Sequence, residues 1–151
     1  MKWSSNDIQK VRQLSLQDGL LLIQAWSLLV LVNLMLRWLP FGWILQVLRS
    51  MSRKLDDAAF SPPLSHLARL VNVAGRYCPV EATCLVQALV LSWLLNRRGQ
   101  PTMLRIGVIR GQDTLMAHAW LEWHGQVITD SSDVAAYAAF RPIPMTAHSS
   151  Q

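Results

Sequence analysis

Thr83 to Arg98 reads TCLVQALVLSWLLNRR, and Gly99 and Pro101 follow it. The stretch is dense in strong helix formers. Gly and Pro just past its end are the expected stop signals. Thr83 is a good N-cap, because its hydroxyl can accept an amide of the first turn. Pro79 with Glu81 offers a competing start one turn earlier. After Pro101 the apolar period changes from that of a helix to two. Thr102 to Arg110 alternates, with Leu104, Ile106 and Val108 on one face. Gly111, Gln112 and Asp113 make a turn. Leu115 to Glu122 reads as a second strand, and Gln126 to Asp130 as a third across a Gly125 turn. A helix followed by an antiparallel meander is an α+β plan.

Upstream, Ser65 to Gly75 reads as a helix with Leu67, Leu70, Val71 and Ala74 facing inward, and Gly75 could stop it. Asp56 to Pro63, DDAAFSPP, resists helix and marks a boundary between an apolar helical region, residues 1–55, and a second region, residues 56–151. Before it, Trp43 to Arg53 is a helix with Ile44, Val47, Leu48 and Met51 on one stripe. Residues 19 to 36, GLLLIQAWSLLVLVNLML, carry no charge. They approach the length of a membrane span. Gln24, Ser27 and Asn33 interrupt them and Arg37 ends them, so a buried or partner-facing helix is the preferred reading. Ser15 to Asp18 is its polar start, and Pro40 and Gly42 break it. Beyond Ala135 the tail, with Phe140, Pro142 and Pro144, is expected to wrap the surface.

Apolar residues make up 52% of the 151 residues and charged residues 15%. That composition excludes a disordered or highly charged scaffold. The formal net charge is +5. Its scattered basic residues and the lack of a binding motif argue against nucleic acid. They leave an acidic peptide, a partner protein or anionic lipid. Cys78 and Cys84 cannot build a disulfide framework, and no secretory signal opens the chain, so a cytoplasmic location is expected.

Cys84 stands at the start of the long helix, where free amides and the helix dipole favour a thiolate. A lone cysteine is more often a small buried hydrophobe. Cys78, before Pro79, reads as structural. His118 lies in MAHAWLEW, and by itself would read as a core histidine. Asp130 by itself is an ordinary strand-end aspartate. Together they supply what thiol catalysis needs: a nucleophile, a base to hold its proton, and an acceptor to fix the base's tautomer. Metal binding is the rival use. Cys78 and Cys84 are six apart, as are His118 and His124, against the two to four of zinc pairs, and no phosphate-binding glycine loop occurs. No cofactor or metal is expected.

The segments ATCLVQALVLSWLLNRRG, LRIGVIRG and AHAWLEWHG, with Asp130 after them, resemble the leader peptidases of lasso-peptide biosynthesis. These are cysteine proteases of microcin-processing type with a transglutaminase-like, papain-like fold. The resemblance is close from Val71 to Asp133 and loose before that. It implies a helix bearing the cysteine packed on an antiparallel sheet, with Cys84, His118 and Asp130 as the triad. It implies removal of a leader from a precursor peptide, freeing an amine for a separate ATP-dependent macrolactam synthetase. Leader recognition would fall to a separate small protein, because residues 1–55 read as apolar helices. Those helices could face a partner or the inner membrane surface. The Cys84 amide is the expected oxyanion donor and Gln87 a weaker candidate. Acyl transfer on the same scaffold, or a non-catalytic membrane-associated adaptor, are the alternatives.

The triad carries a geometric demand. A two-residue loop, His124-Gly125, would oppose Ala119 with Asp130 and turn His118 away from it, leaving Asp133 or a side-chain amide as the next candidate acceptor. A three-residue loop, Trp123-His124-Gly125, would oppose His118 with Asp130. The second is expected, with Gly125 at positive φ. His118, Trp120 and Glu122 would then face Cys84.

Overall fold

The computed structural model describes residues 16–50, 63–111, 114–129 and 134–145, with side chains described from residue 19 onward. Among these residues there are four helices: α1 (Leu16–Trp38), α2 (Phe41–Ser50), α3 (Leu64–Arg76) and α4 (Cys84–Asn96). The strands are β1 (Met103–Arg110), β2 (Leu115–Trp123), β3 (Gln126–Val127), β4 (Ala138–Ala139) and β5 (Ile143–Pro144), with a short 3₁₀ turn at Val134–Ala136. This is the α+β architecture the sequence implies: helices first, then an antiparallel sheet. Met51, Arg53 and the Asp56–Ser61 stretch lie outside the described residues.

The middle of the molecule is α4. It is apolar all round, and from Ala88 to Asn96 every residue is buried. A helix of that kind must be covered on all sides. α3 and α1 pack on it from one side and the sheet from the other. Leu89, Leu91, Leu94 and Leu95 are among the most deeply buried side chains. Each contributes about 1.5–3 kcal/mol in burial. One core cluster runs from Ala25, Leu29 and Val32 of α1 through α4 to Leu104, Leu121 and Met145. The helix ends where expected. Gly99 takes φ +70°, and the Gln100 N–H reaches back to the Leu95 carbonyl at 3.0 Å. That is the αL stop that glycine makes without a Cβ penalty.

Several boundaries differ from the sequence reading. α2 begins at Phe41, not Trp43, because first-turn amides need no partner and Pro40 can lead a helix. The Trp43 and Ile44 amides both donate to the Pro40 carbonyl. Gly75 does not stop α3, which runs to Arg76. Its missing side chain serves an approach instead: a Cβ there would stand 2.9 Å from Gln87 Nε2. The sheet is not a simple meander. Its order is β3-β2-β1-β4, with β5 also on β1. The tail runs along the surface as expected, but as two short edge strands. β4 pairs at Gly107 and Val108, and β5 at Met103 and Leu104. Met145 then drops into the core.

Candidate active site

Cys84 is the first residue of α4, and Thr83 caps it as expected. The Val86 amide donates to Thr83 Oγ1 at 3.4 Å, and the Gln87 amide to the Thr83 carbonyl at 3.0 Å. The amides of Cys84 and Leu85 are the remaining first-turn donors, which a helix cannot satisfy from within itself. Two bonds from α1 hold the segment that leads into this start. Asn33 Nδ2 donates to the Glu81 carbonyl at 2.7 Å, and Trp26 Nε1 to the Tyr77 carbonyl at 3.4 Å. Gln87 adds a third, with Nε2 donating to the Ala82 carbonyl at 2.8 Å. Gln87 thus braces the turn before Cys84 with one N–H, and it lines the same cavity as Cys84.

Cys84 is a free, half-buried thiol. It lines a cavity of about 50 Å³ together with Asn72, Gln87, His118, Ala119 and Thr129. The helix start and strand β2 therefore meet at one small hollow, walled by Ala68, Val71 and Leu91 as well as these polar side chains, with room for a water or a single reacting group. Cys78 is also free and half-buried. It packs against the core and does not line this cavity.

His118 is held differently from the sequence expectation. β2 pairs with β1 in a register that sets His118 against Gly107 and Trp120 against Arg105. Ala119 and Leu121 face the core under α4. His118, Trp120 and Glu122 lie on the other face, so the expected assignment of faces is reversed. The physical reason is burial: the small and aliphatic residues take the side against the apolar helix. His118 and Ala119 nonetheless both line the cavity onto which Cys84 opens.

The imidazole is bracketed by rings. Trp120 stacks at 6.1 Å and 19°, and Tyr137 tilts at 5.5 Å and 41°. Trp120 is in turn fixed, its Nε1 donating to Glu122 Oε1 at 3.1 Å, and Glu122 Oε2 accepts from Arg105 Nε at 3.1 Å. Gly107 makes room for all of this: a Cβ there would be 2.9 Å from the Trp120 ring. Glycine in the middle of a strand is the sequence signal for such an approach. His118 Nε2 is buried and has no hydrogen-bond partner among the described residues. A buried, unbonded imidazole nitrogen costs stability, and this imidazole shares a cavity with Cys84.

The expected three-residue loop is overturned. Trp123 opposes Gln126, which makes a two-residue turn. His124 takes φ +48° and Gly125 φ +78°. Both central residues at positive φ match the twist of the flanking strands. The expectation of positive φ at Gly125 holds. The alternation argument for Asp130 does not, because the ladder stops short. The Ile128 amide bonds the Leu121 carbonyl at 3.0 Å, but the Leu121 amide turns to Thr129 Oγ1 at 3.4 Å. Asp130 itself, like Asp133, lies outside the described residues.

A second, larger hollow of about 440 Å³ flanks the same helix start. Leu36, Val80 and Val86 give it an apolar lining, and Arg37 and Glu81 give it charge. Among the described residues no three His, Cys, Asp or Glu side chains converge as a metal site would require.

With a cysteine-bearing helix start set against an antiparallel sheet that carries histidine, the family model for the transglutaminase-like superfamily matches residues 28–145. The chain belongs to that superfamily. Comparison with curated proteins and with solved structures finds no match.

Proposed function

We propose that this chain is a cysteine endopeptidase that removes the leader from a lasso-peptide precursor. The observation that carries the catalytic part is the shared cavity of Cys84 and His118, with His118 Nε2 buried and unbonded. Membership of the superfamily is consistent with hydrolysis or acyl transfer at a cysteine. The substrate rests on the resemblance of ATCLVQALVLSWLLNRRG, LRIGVIRG and AHAWLEWHG to the leader peptidases.

In this reading the Cys84 thiolate attacks the carbonyl at the leader–core junction. The Cys84 and Leu85 amides donate to the oxyanion. His118 gives a proton to the leaving amine, then takes one from the water that releases the acyl-enzyme. An acceptor orients His118: Asp130 by the resemblance, or Asp133, since the two-residue turn removes the register that set Asp130 opposite His118. The hollow beside Arg37 and Glu81 would take the peptide flanking the cut. A separate recognition protein would bring the leader, raising the effective concentration of the scissile bond. A macrolactam synthetase would use the freed amine.

Cleavage of the precursor, followed by mass spectrometry with the recognition protein present, tests this. Cys84→Ala should be inactive and Cys78→Ala active. His118→Ala should be nearly as severe as Cys84→Ala, and Asp130→Asn milder. The reverse pattern at the two cysteines would refute the nucleophile. A product mass increased by an added amine would mark the reaction as transfer rather than hydrolysis.

A further inference from the structure

We propose that the outer face of α1, continued by the head of α2, is a docking surface for an anionic lipid bilayer. The inner face of α1 is accounted for: Ala25, Leu29 and Val32 are at most 1% exposed. The outer face is apolar and, among the described residues, uncovered. Leu20 is 69% exposed, Ile23 63%, Leu31 49%, Leu34 55% and Trp38 78%. With Ser27 between them, these positions step by three and four, so they form one stripe. Ser27 does not break it, because its hydroxyl donates to the Ile23 carbonyl at 2.9 Å. Trp43, 54% exposed, extends the patch onto α2. A stripe about 27 Å long of large exposed apolar side chains exceeds the scattered apolar exposure of an ordinary soluble surface.

Charge selects the occupant. From Gly19 to Ser50 there is no Asp or Glu, and there are two arginines, Arg37 and Arg49. Each sits in the last turn of its helix. A second copy docking through the same patch would offer these arginines no acid, since the patch contains none. Anionic headgroups supply the missing charge. Trp38 and Trp43 suit the headgroup level, where an apolar ring and a polar N–H are both accommodated.

Docking is flat, not spanning. α1 passes the length and composition test for a span between Gly19 and Trp38. Withdrawing it into a bilayer would strip Ala25, Leu29 and Val32 from the core. It would also break the Asn33–Glu81 and Trp26–Tyr77 bonds. Lying in the interface keeps both, because the protein core covers the inner apolar face and only the outer face meets lipid. The surface is independent of the proteolytic reading, since binding is measured without substrate.

Vesicle co-sedimentation of the full chain tests it, using phosphatidylcholine vesicles and phosphatidylcholine–phosphatidylglycerol vesicles. The chain should pellet with the anionic vesicles at least about fivefold more tightly, and high salt or alkaline carbonate should release it. Ile23→Ser/Leu34→Ser/Trp38→Ser should weaken binding by at least about tenfold, with circular dichroism unchanged. Arg37→Glu should weaken it by at least about fivefold, and keeps the test decisive if the triple variant does not fold. Failure to pellet, full binding by a folded triple variant, or full binding by Arg37→Glu would overturn the proposal. So would resistance to carbonate, which would mean a span. So would a dimer that the triple variant makes monomeric in the absence of any vesicle binding.

Discussion

The two ends of α4 are built from similar side chains to opposite purposes. At the C-terminal end several polar groups are buried and bonded to one another, although Trp93 Nε1, Asn96 Oδ1 and Arg97 Nε are buried with no partner among the described residues. Ser92 Oγ meets Thr102 Oγ1 at 2.8 Å, and Asn96 Nδ2 donates to the Met145 carbonyl at 2.7 Å. Arg97 lies over the Trp93 ring at 4.7 Å. Arg98 donates to the Leu94 carbonyl at 2.7 Å. Burial, and then Arg97 beside it, pull the Arg98 guanidinium below the usual arginine value. At the N-terminal end the thiol is half-buried and opens on a cavity, and the bracing bonds reach the loop before the helix rather than the helix itself. One end spends its polar atoms on holding the tail strand to the core. The other presents a free thiol and two first-turn amides that the helix itself cannot satisfy. A helix whose far end is locked can present its near end without fraying, which suits a site that must hold its geometry.

The sharpest test of that contrast is Cys84→Ala. We expect cleavage to fall by at least about 10³-fold with the melting temperature nearly unchanged, read by precursor turnover and circular dichroism. Asn96→Ala should do the opposite. It leaves the Met145 carbonyl buried and unpaired, at a cost of about 1–3 kcal/mol, measured by urea unfolding. Turnover per folded molecule should stay within about twofold.

Gly107→Ala probes the sheet side of the site. Its Cβ must push the Trp120 ring, costing about 1–3 kcal/mol. Because Trp120 stacks on His118, turnover should also fall, whereas an effect on stability alone would show that the ring does not position the imidazole. The smallest effect is expected at Thr83→Ala. Losing the cap should cost about 1 kcal/mol, with a modest loss of turnover because the cap adjoins Cys84. Thr83→Ser should restore both.

Much of this was legible in the chain. The run from Thr83 to Asn96 has its cap and its stop written into it, and the alternation of β1 and β2 follows from period two. Cys84 and His118 could be named because residue type and helix or strand position together suggest their chemistry. Other features were not legible. The brackets on His118 come from Trp120 and Tyr137, which are separated in sequence and brought together by a strand pairing. Gly107 hinted at a close approach without saying to what.

Local physics was enough for the element types, the α4 cap, the αL stop at Gly99 and the positive φ at Gly125, because these depend on bonds a few residues apart. Pairing across the sheet was another matter. The tail became β4 and β5 because β1 had an open edge and Met145 a place in the core, neither of which is visible from the tail. The face of β2 against α4 was decided by which side chains could be buried there. The turn shortened to two residues because His124 and Gly125 both accept positive φ and match the strand twist. Those outcomes depend on contacts made far along the chain, where packing outweighs local pattern, and only the tertiary structure decided them.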